Sequence, residues 1–167
     1  LNATAGQLRF GADGNEMRIA VWFKPVVPHD GSTIHIEAAT LELDLSASNY
    51  LELINAPGGV SIITHDHPGT SGGGSSFISR TVAAGLNASE WHHVHMAGEW
   101  GDGLYNDWWR YAVDGVAIHG TFSAFFSWRR DAFPSEHQRN TKWIKFFTAT
   151  PNALEDQASG FYFDDLS

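Results

Sequence analysis

Two histidines set two residues apart, His93 and His95, are the first candidates for chemistry in this chain of 167 residues. Side chains two apart on a β-strand point to the same face, so Val94 and Met96 would form the opposite, apolar face. An imidazole pair on an open sheet face can hydrogen-bond sugar hydroxyls, act as a general base or bind a metal. A solvated or structural pair is the simplest interpretation, and ligand contact, metal binding and catalysis are the alternatives.

Aromatic and cationic side chains follow in the sequence and could complete a binding site. Arg110 shares a strand face with Trp108, and Trp128 and Arg130 fall in a stretch without clean periodicity that we expect to be an ordered surface loop. Flat rings stack on the apolar faces of sugars, and guanidinium groups pair with uronate carboxylates or sulfates. We therefore predict a ligand-binding set of His93, His95, Trp108, Arg110, Trp128 and Arg130.

Oxygen-bearing side chains suggest a separate cation site. Asp102, Asn106 and Asp107 lie in one predicted turn. Hard oxygen ligands are what Ca²⁺ prefers, although the spacing here is not that of an EF-hand. The run His65-Asp66-His67 also carries three metal-capable side chains, but a polar turn before a proline is its simpler interpretation.

Patterns that would indicate catalysis are few. Glu42 and Asp44 share a strand face, which is the nearest approach to the paired carboxylates of a glycosidase. A lyase would need a cation or metal beside a histidine or tyrosine base, and the histidine pair with Arg110 and Tyr111 could supply those parts. The sequence contains no nucleophile elbow, phosphate loop or dinucleotide fingerprint. Catalysis is therefore the alternative to binding.

Short alternating strands must position these residues. Apolar and polar side chains alternate in several short segments, turn-forming residues separate them, and no longer stretch shows a helical stripe. This pattern predicts an all-β fold, a two-sheet antiparallel β-sandwich. We expect Trp22, Trp91 and Trp109 in its core. Predicted strands include residues 17–24, 33–38, 50–54, 60–64 and 143–148, and residues 77–82 form a weaker one.

Three stretches carry a family likeness: Trp91-His92-His93-Val94, the run from Asn106-Asp107 to Tyr111-Ala112-Val113-Asp114-Gly115, and Gly160-Phe161-Tyr162-Phe163-Asp164-Asp165-Leu166. Together they resemble the laminin-G-like, concanavalin A-like domains of bacterial extracellular proteins and the ends of several carbohydrate-binding modules. The resemblance implies a jelly roll whose concave sheet often binds glycans, and sometimes a structural calcium ion for which Asp164 and Asp165 would be ligands. Such folds host lectins, glycosidases, lyases and adhesion domains, so the likeness does not by itself imply catalysis.

The amino-acid composition makes some classes of binding partner unfavourable. The formal net charge is −9 at pH 7, which opposes binding to nucleic acid or anionic lipid. The sequence has no cysteine and no apolar run long enough to span a bilayer. Its length suits one domain, residues 1–167, which we expect to be part of a larger secreted or cell-surface protein with flanking domains.

The leading hypothesis is a non-catalytic, lectin-like carbohydrate-binding module that binds polysaccharide on a concave sheet face. The first alternative is a polysaccharide lyase or glycoside hydrolase on the same scaffold, and the second is a structural or adhesion domain without a ligand. Calcium would be the structural cofactor, with the predicted ligands Asp102, Asn106, Asp107, Asp164 and Asp165.

Overall fold

The computed structural model describes residues 6–9, 16–39, 47–66, 78–99, 108–118, 143–148 and 160–167. Within these ranges all regular elements are β-strands, and no helix there is long and apolar enough to cross a membrane. The strands are β1 (Gly6–Arg9), β2 (Glu16–Pro25), β3 (Thr33–Ala39), β4 (Ala47–Ala56), β5 (Gly59–Asp66), β6 (Ile78–Leu86), β7 (His92–Glu99), β8 (Trp108–Val113), β9 (Val116–Ala117), β10 (Trp143–Thr148) and β11 (Phe161–Asp164).

These strands pair into two antiparallel sheets. The six-stranded sheet has the order β1-β10-β3-β4-β5-β6, and the five-stranded sheet has the order β11-β2-β7-β8-β9. The predicted all-β, two-sheet antiparallel fold is confirmed. Pro57-Gly58 joins β4 to β5 and Asp114-Gly115 joins β8 to β9, where turn residues predicted hairpins. Beyond β11, Ser167 and Ala20 exchange two backbone hydrogen bonds of 2.8 and 3.0 Å, which extends the pairing of this segment with β2.

One apolar core fills the space between the two sheets. On β2, Ile19, Val21 and Phe23 are buried while the residues between them are more exposed, as a side-chain period of two requires. Burying each such side chain is worth about 1.5–3 kcal/mol, so the alternation decides which face of a strand lies inside. Both sheets contribute to the rest of this core, which includes Ile34, Ile36, Leu51, Leu53, Val60, Ile62, Val82, Val94, Met96, Trp109, Tyr111 and Val113.

A hydrogen bond joins the two sheets inside this core. The buried hydroxyl of Thr64 on β5 donates to the hydroxyl of Tyr111 on β8 at 2.7 Å. Hydrogen bonding offsets the cost of taking a hydroxyl out of water. Because Tyr111 is only 2% exposed and points between the sheets, the hypothesis that it belongs to a lyase site beside the histidine pair is wrong.

The prediction of three core tryptophans holds only for Trp109. Trp109 is 2% exposed, whereas Trp22 is 39% and Trp91 is 43% exposed. Trp22 lies between two buried residues of β2, so the strand period turns its ring outward. Trp91 precedes β7 and lies two residues before His93, on the outward side. Strand parity thus decides burial here, against the usual preference of tryptophan for the interior.

One carboxylate holds the connection between β2 and β3. Asp30 accepts hydrogen bonds from the Ser32 N–H at 2.8 Å, from the Asn55 side chain at 2.6 Å and from the Gly160 N–H at 3.2 Å. Burial alone would raise the pKa of Asp30, but these hydrogen bonds hold the pKa below its usual value. The carboxylate therefore ties this connection to the end of β4 and to the start of β11.

A glycine on β7 makes room for Trp109. A Cβ atom added at Gly98 would lie 2.6 Å from the Trp109 ring, its pairing partner on β8. We predict that Gly98→Ala lowers the free energy of unfolding by about 1–3 kcal/mol, because the buried indole must move. Chemical denaturation measures the loss. Gly58→Ala is the control, since a Cβ there meets no atom within 4 Å, and equal stability of the two variants would contradict the prediction.

Candidate functional site

The outer face of the five-stranded sheet carries the histidine pair. His93 and His95 on β7 are partly exposed and face away from the core, opposite the buried Val94 and Met96, as their spacing predicts. Across the sheet His93 pairs with Trp22, and the two ring centroids are 5.0 Å apart. The imidazole of His93 therefore borders an exposed indole.

Positive charge gathers near His95. Arg18 on β2 and Arg110 on β8 both pair with Ala97, two residues beyond His95 on β7. Burial, together with the neighbouring His93 and Arg18, lowers the pKa of His95. In a chain whose formal net charge is −9, these two arginines add positive charge to a face on which Glu16 also pairs with Glu99.

Part of the predicted ligand-binding and metal-binding sets falls outside the described residues. Trp108 begins β8, where its backbone pairs with Glu99 at the end of β7. Four members of the predicted ligand-binding set lie within the described residues: His93, His95, Trp108 and Arg110. The predicted residues beyond the described ranges are Asp102, Asn106, Asp107, Trp128 and Arg130.

Asp164 and Asp165 are exposed at the end of β11. The N–H of Asp165 donates to the Asp164 carboxylate at 2.9 Å, and Asp165 has a φ of 47°. Among the residues that the structure describes, no group of three or more histidine, cysteine, aspartate or glutamate side chains could hold a metal ion. The calcium site stays a prediction, because its other predicted ligands lie outside these ranges.

Asp114 does more than form the turn between β8 and β9. Its carboxylate accepts hydrogen bonds from Nδ1 of the buried His92 and from the backbone N–H of His93, both at 2.8 Å. Nε2 of His92 lies 3.0 Å from the carbonyl oxygen of Asn87. Both ring nitrogens of His92 therefore face acceptors, and the ring bridges the Asp114 carboxylate and the Asn87 carbonyl. The Asp114–His92 pair anchors the start of β7 and hence the outward direction of His93.

The outer face of the six-stranded sheet carries a polar cluster that the sequence analysis missed. We call it the histidine–glutamate patch, and it consists of His35 on β3, Tyr50 and Glu52 on β4, His65 on β5 and Ser79 on β6. Nε2 of His65 lies 2.9 Å from one carboxylate oxygen of Glu52, and Nε2 of His35 lies 3.4 Å from the other. The first contact is a hydrogen bond and the second a longer ion-pair contact. Two imidazoles thus share one carboxylate.

The second nitrogen of His65 determines how this ring can act. The hydroxyl oxygen of Ser79 lies 2.9 Å from Nδ1 of His65. A carboxylate only accepts, so Nε2 carries the hydrogen toward Glu52, and in the neutral ring Nδ1 accepts from the Ser79 hydroxyl. A general base needs such a nitrogen lone pair and a group that orients the ring. His65 has both, next to an exposed hydroxyl.

Tyr50 lies between the two imidazoles of the patch. Its ring centroid is 4.3 Å from that of His65 with planes 9° apart, and 4.6 Å from that of His35 with planes 30° apart. Tyr50 and His65 are pairing partners across β4 and β5. Three side chains that can transfer protons therefore occupy adjacent positions on one sheet face.

A signal for the patch was present in the sequence. His35, Tyr50, Glu52 and His65 occupy polar positions of three consecutive alternating strands, and consecutive strands are usually neighbours in a sheet. The interpretation of His65 as part of a polar turn is wrong, because β5 continues through His65 to Asp66. β5 extends to His65 because Thr64, the inward-facing residue just before it, is buried in the core.

Comparison with known proteins identifies the fold. No protein-family profile matches the chain, and no curated protein matches it. Among solved structures, an alginate lyase from Pseudomonas aeruginosa matches 90% of the chain with a TM-score of 0.56 and 8% identity. A variant of alginate lyase Aly36B in complex with an alginate trisaccharide matches 93% of the chain with a TM-score of 0.56 and 12% identity. The chain shares its fold with jelly-roll lyases.

This likeness concerns the fold. The chain spans 62% of the length of the first lyase and 70% of the second. Both have a jelly roll of the concanavalin A-like kind, which agrees with the two-sheet sandwich of this chain. The laminin-G-like relationship stays a prediction, since no family profile bears on it.

The Asp114–His92 pair generates a stability prediction. Asp114→Asn should lower the free energy of unfolding by about 1–2 kcal/mol at neutral pH, because it removes the charge from two hydrogen bonds at a partly exposed site. Asparagine tolerates the positive φ of 50° at this position, so the turn is retained. Burial opposes ionisation of Asp114, but hydrogen bonds from His93 and His92 lower its pKa overall. The stabilisation is therefore present above the unfolded-state pKa and disappears as pH falls through the lower folded-state pKa.

Urea unfolding at neutral pH and at the lowest pH at which the protein stays folded measures this effect. The wild type and Asp114→Asn should converge in acid. Glu90→Gln, at an exposed carboxylate just before β7, is the control and should match the wild type at both pH values. A loss for Asp114→Asn that persists undiminished in acid would mean that the charge is not its source.

Proposed function

We propose that this chain is a polysaccharide lyase that cleaves a uronate-containing polymer at the histidine–glutamate patch. The observation that carries the proposal is the hydrogen-bonded chain from Ser79 through His65 to Glu52, with Tyr50 stacked on His65. The fold shared with two alginate lyases supports the same reaction class. The lyase alternative is therefore better supported than the non-catalytic hypothesis with which the sequence analysis began.

β-Elimination on a uronate needs a base, an acid and a group that meets the carboxylate. The base removes the proton from the carbon next to the carboxylate. A carbon–carbon double bond then forms, and the bond from the ring to the glycosidic oxygen breaks as that oxygen takes up a proton. Acid and base must come within hydrogen-bond reach of these atoms. Negative charge that develops on the carboxylate is stabilised by positioned donors or cations.

The patch can supply a group for each of these roles. Neutral His65, oriented by Glu52, takes the proton on Nδ1 once substrate displaces the Ser79 hydroxyl. Tyr50 donates a proton to the departing oxygen. His35, which also contacts Glu52, is the cationic group for the uronate carboxylate when it is protonated. The carboxylate of Glu52 contacts two imidazoles, and these contacts weaken its repulsion of the substrate carboxylate.

A non-catalytic carbohydrate-binding module is the second candidate. Exposed aromatic rings on the opposite sheet, Trp22, Trp91 and Tyr162, favour it, because flat rings stack on sugars. The two candidates differ in one observable, since a lyase forms an unsaturated product and a module leaves its polymer unchanged. For both, we propose a location outside the cell or at its surface, and a structural calcium ion remains part of the proposal.

Incubation with a panel of polyuronates, followed by the ultraviolet absorbance of the unsaturated uronate, tests the lyase proposal. We expect the wild type to produce this absorbance from at least one polymer. Tyr50→Phe and His65→Asn should each reduce the rate by about a hundredfold or more, because each removes a proton-transfer group.

Ser89→Ala is the matched control, since it removes an exposed hydroxyl in the connection between β6 and β7, outside both outer-face sites. It should cleave at the wild-type rate. The proposal fails if the wild type releases no unsaturated product from any polyuronate, or if Tyr50→Phe and His65→Asn both cleave as fast as the wild type.

A further inference from the structure

Three aromatic side chains stand out on the sheet opposite the histidine–glutamate patch. Trp22, Trp91 and Tyr162 are 39%, 43% and 53% exposed, and the other exposed large hydrophobic side chains of the described residues are aliphatic. Trp22 lies on β2, Trp91 just before β7 and Tyr162 on β11, all on the outer face of the five-stranded sheet. Leaving large apolar surface in water is costly, so a group of such rings marks a contact surface.

The rings are neighbours within the sheet. Tyr162 pairs with Lys24, and Trp22, two residues before Lys24 on β2, pairs with His93. The ring centroids of Trp91 and Tyr162 are 6.5 Å apart, and those of Trp22 and His93 are 5.0 Å apart. The rings therefore form a band that crosses β11, β2 and β7.

Cationic side chains flank this band along the strands. Lys24 lies within it, and Arg18 and Arg110 lie beyond His95 toward the other end of the sheet. Three acidic residues also belong to this face: Asp164 pairs with Trp22 at the β11 edge, and Glu16 pairs with Glu99 two residues beyond Arg18 and Ala97. Burial lowers the pKa of His95, and the neighbouring His93 and Arg18 lower it further.

The aromatic and cationic ends of this face are a short distance apart. Trp22 and Arg18 are four residues apart on β2, or about 13 Å. His95 lies between them in the sheet, and its pairing partners Ala20 and Ala112 have small side chains. A surface of this length suits a chain of a few sugar residues better than the broad interface of a globular protein.

We propose that this aromatic–basic face, defined by Trp22, Trp91, Tyr162, Arg18, Lys24 and Arg110, is a second glycan-binding surface and that it takes an anionic polysaccharide. The rings stack on the apolar faces of the sugars, and the cations pair with their carboxylates or sulfates. The net charge of −9 repels a polyanion from the rest of the surface, so the polymer is held on this face. The proposal does not depend on catalysis at the patch, which lies on the other sheet.

Isothermal titration calorimetry with sodium alginate, dextran sulfate and uncharged dextran tests the proposal. The titrations use Tyr50→Phe protein, so that no uronate polymer is cleaved at the patch. We expect at least one of the two anionic polymers to bind, and dextran to bind about tenfold more weakly or worse. Adding Trp22→Ala and Trp91→Ala together should weaken binding about tenfold or more. Adding Arg18→Gln should reduce the salt dependence of binding.

Val116→Ala, which shortens an exposed side chain on β9, is the control and should leave binding unchanged. Circular dichroism checks the fold of each variant, and Tyr162→Ala replaces the double tryptophan variant if that variant does not fold. Failure of both anionic polymers to bind, equal binding of dextran, or unchanged binding by the folded ring variants would overturn the proposal.

The two proposals fail separately. A chain that binds the anionic polymer through these rings but never forms an unsaturated product refutes the lyase proposal alone. A chain that cleaves polyuronates but binds equally well without the rings refutes the second glycan-binding surface alone.

Discussion

Strand register is the constraint on which both outer faces depend. A slip of one residue in any strand would exchange its buried and exposed side chains. The core prevents such a slip, because a slip of β2 alone would move the buried side chains of Ile19, Val21 and Phe23 into water. The Thr64–Tyr111 hydrogen bond adds a polar restraint between the sheets, since it forms in one relative position only. The packing of the interior thus determines what the two surfaces present.

Two irregularities between β5 and β6 refine this register at the histidine–glutamate patch. The pairing shifts between Val60 and Ile62 and again between Ile62 and Ile63. Had the pairing of Val60 with Leu86 continued without a shift, His65 would lie opposite Thr81. The two shifts place it opposite Ser79 instead. Bulges of this kind commonly re-aim side chains near functional sites, and here they place Ser79 rather than Thr81 opposite His65.

Most of the fold could be predicted from local pattern, and the site only in part. Alternation located β2, and Pro57-Gly58 located the β4–β5 hairpin, because both signals depend on neighbours in the sequence. Trp22 and Trp91 were assigned to the core from residue type, although their parity already placed them with outward residues. The contact of His65 with Ser79 could not be predicted, because the bulges between β5 and β6 leave no sequence signal that we can read.

The pairing of the last strand with β2 has a consequence for how the protein is made. β2 is far in the sequence from residues 160–167, and its outer edge is covered only when these residues bond to it and Gly160 reaches Asp30, 130 residues earlier. Contacts separated by so much sequence close slowly. During synthesis on the ribosome, one edge of β2 therefore stays open until residues 160–167 have been translated. An open edge of this kind invites pairing with other chains, so the nascent chain is exposed to aggregation at β2 until the last strand of the sheet has been made.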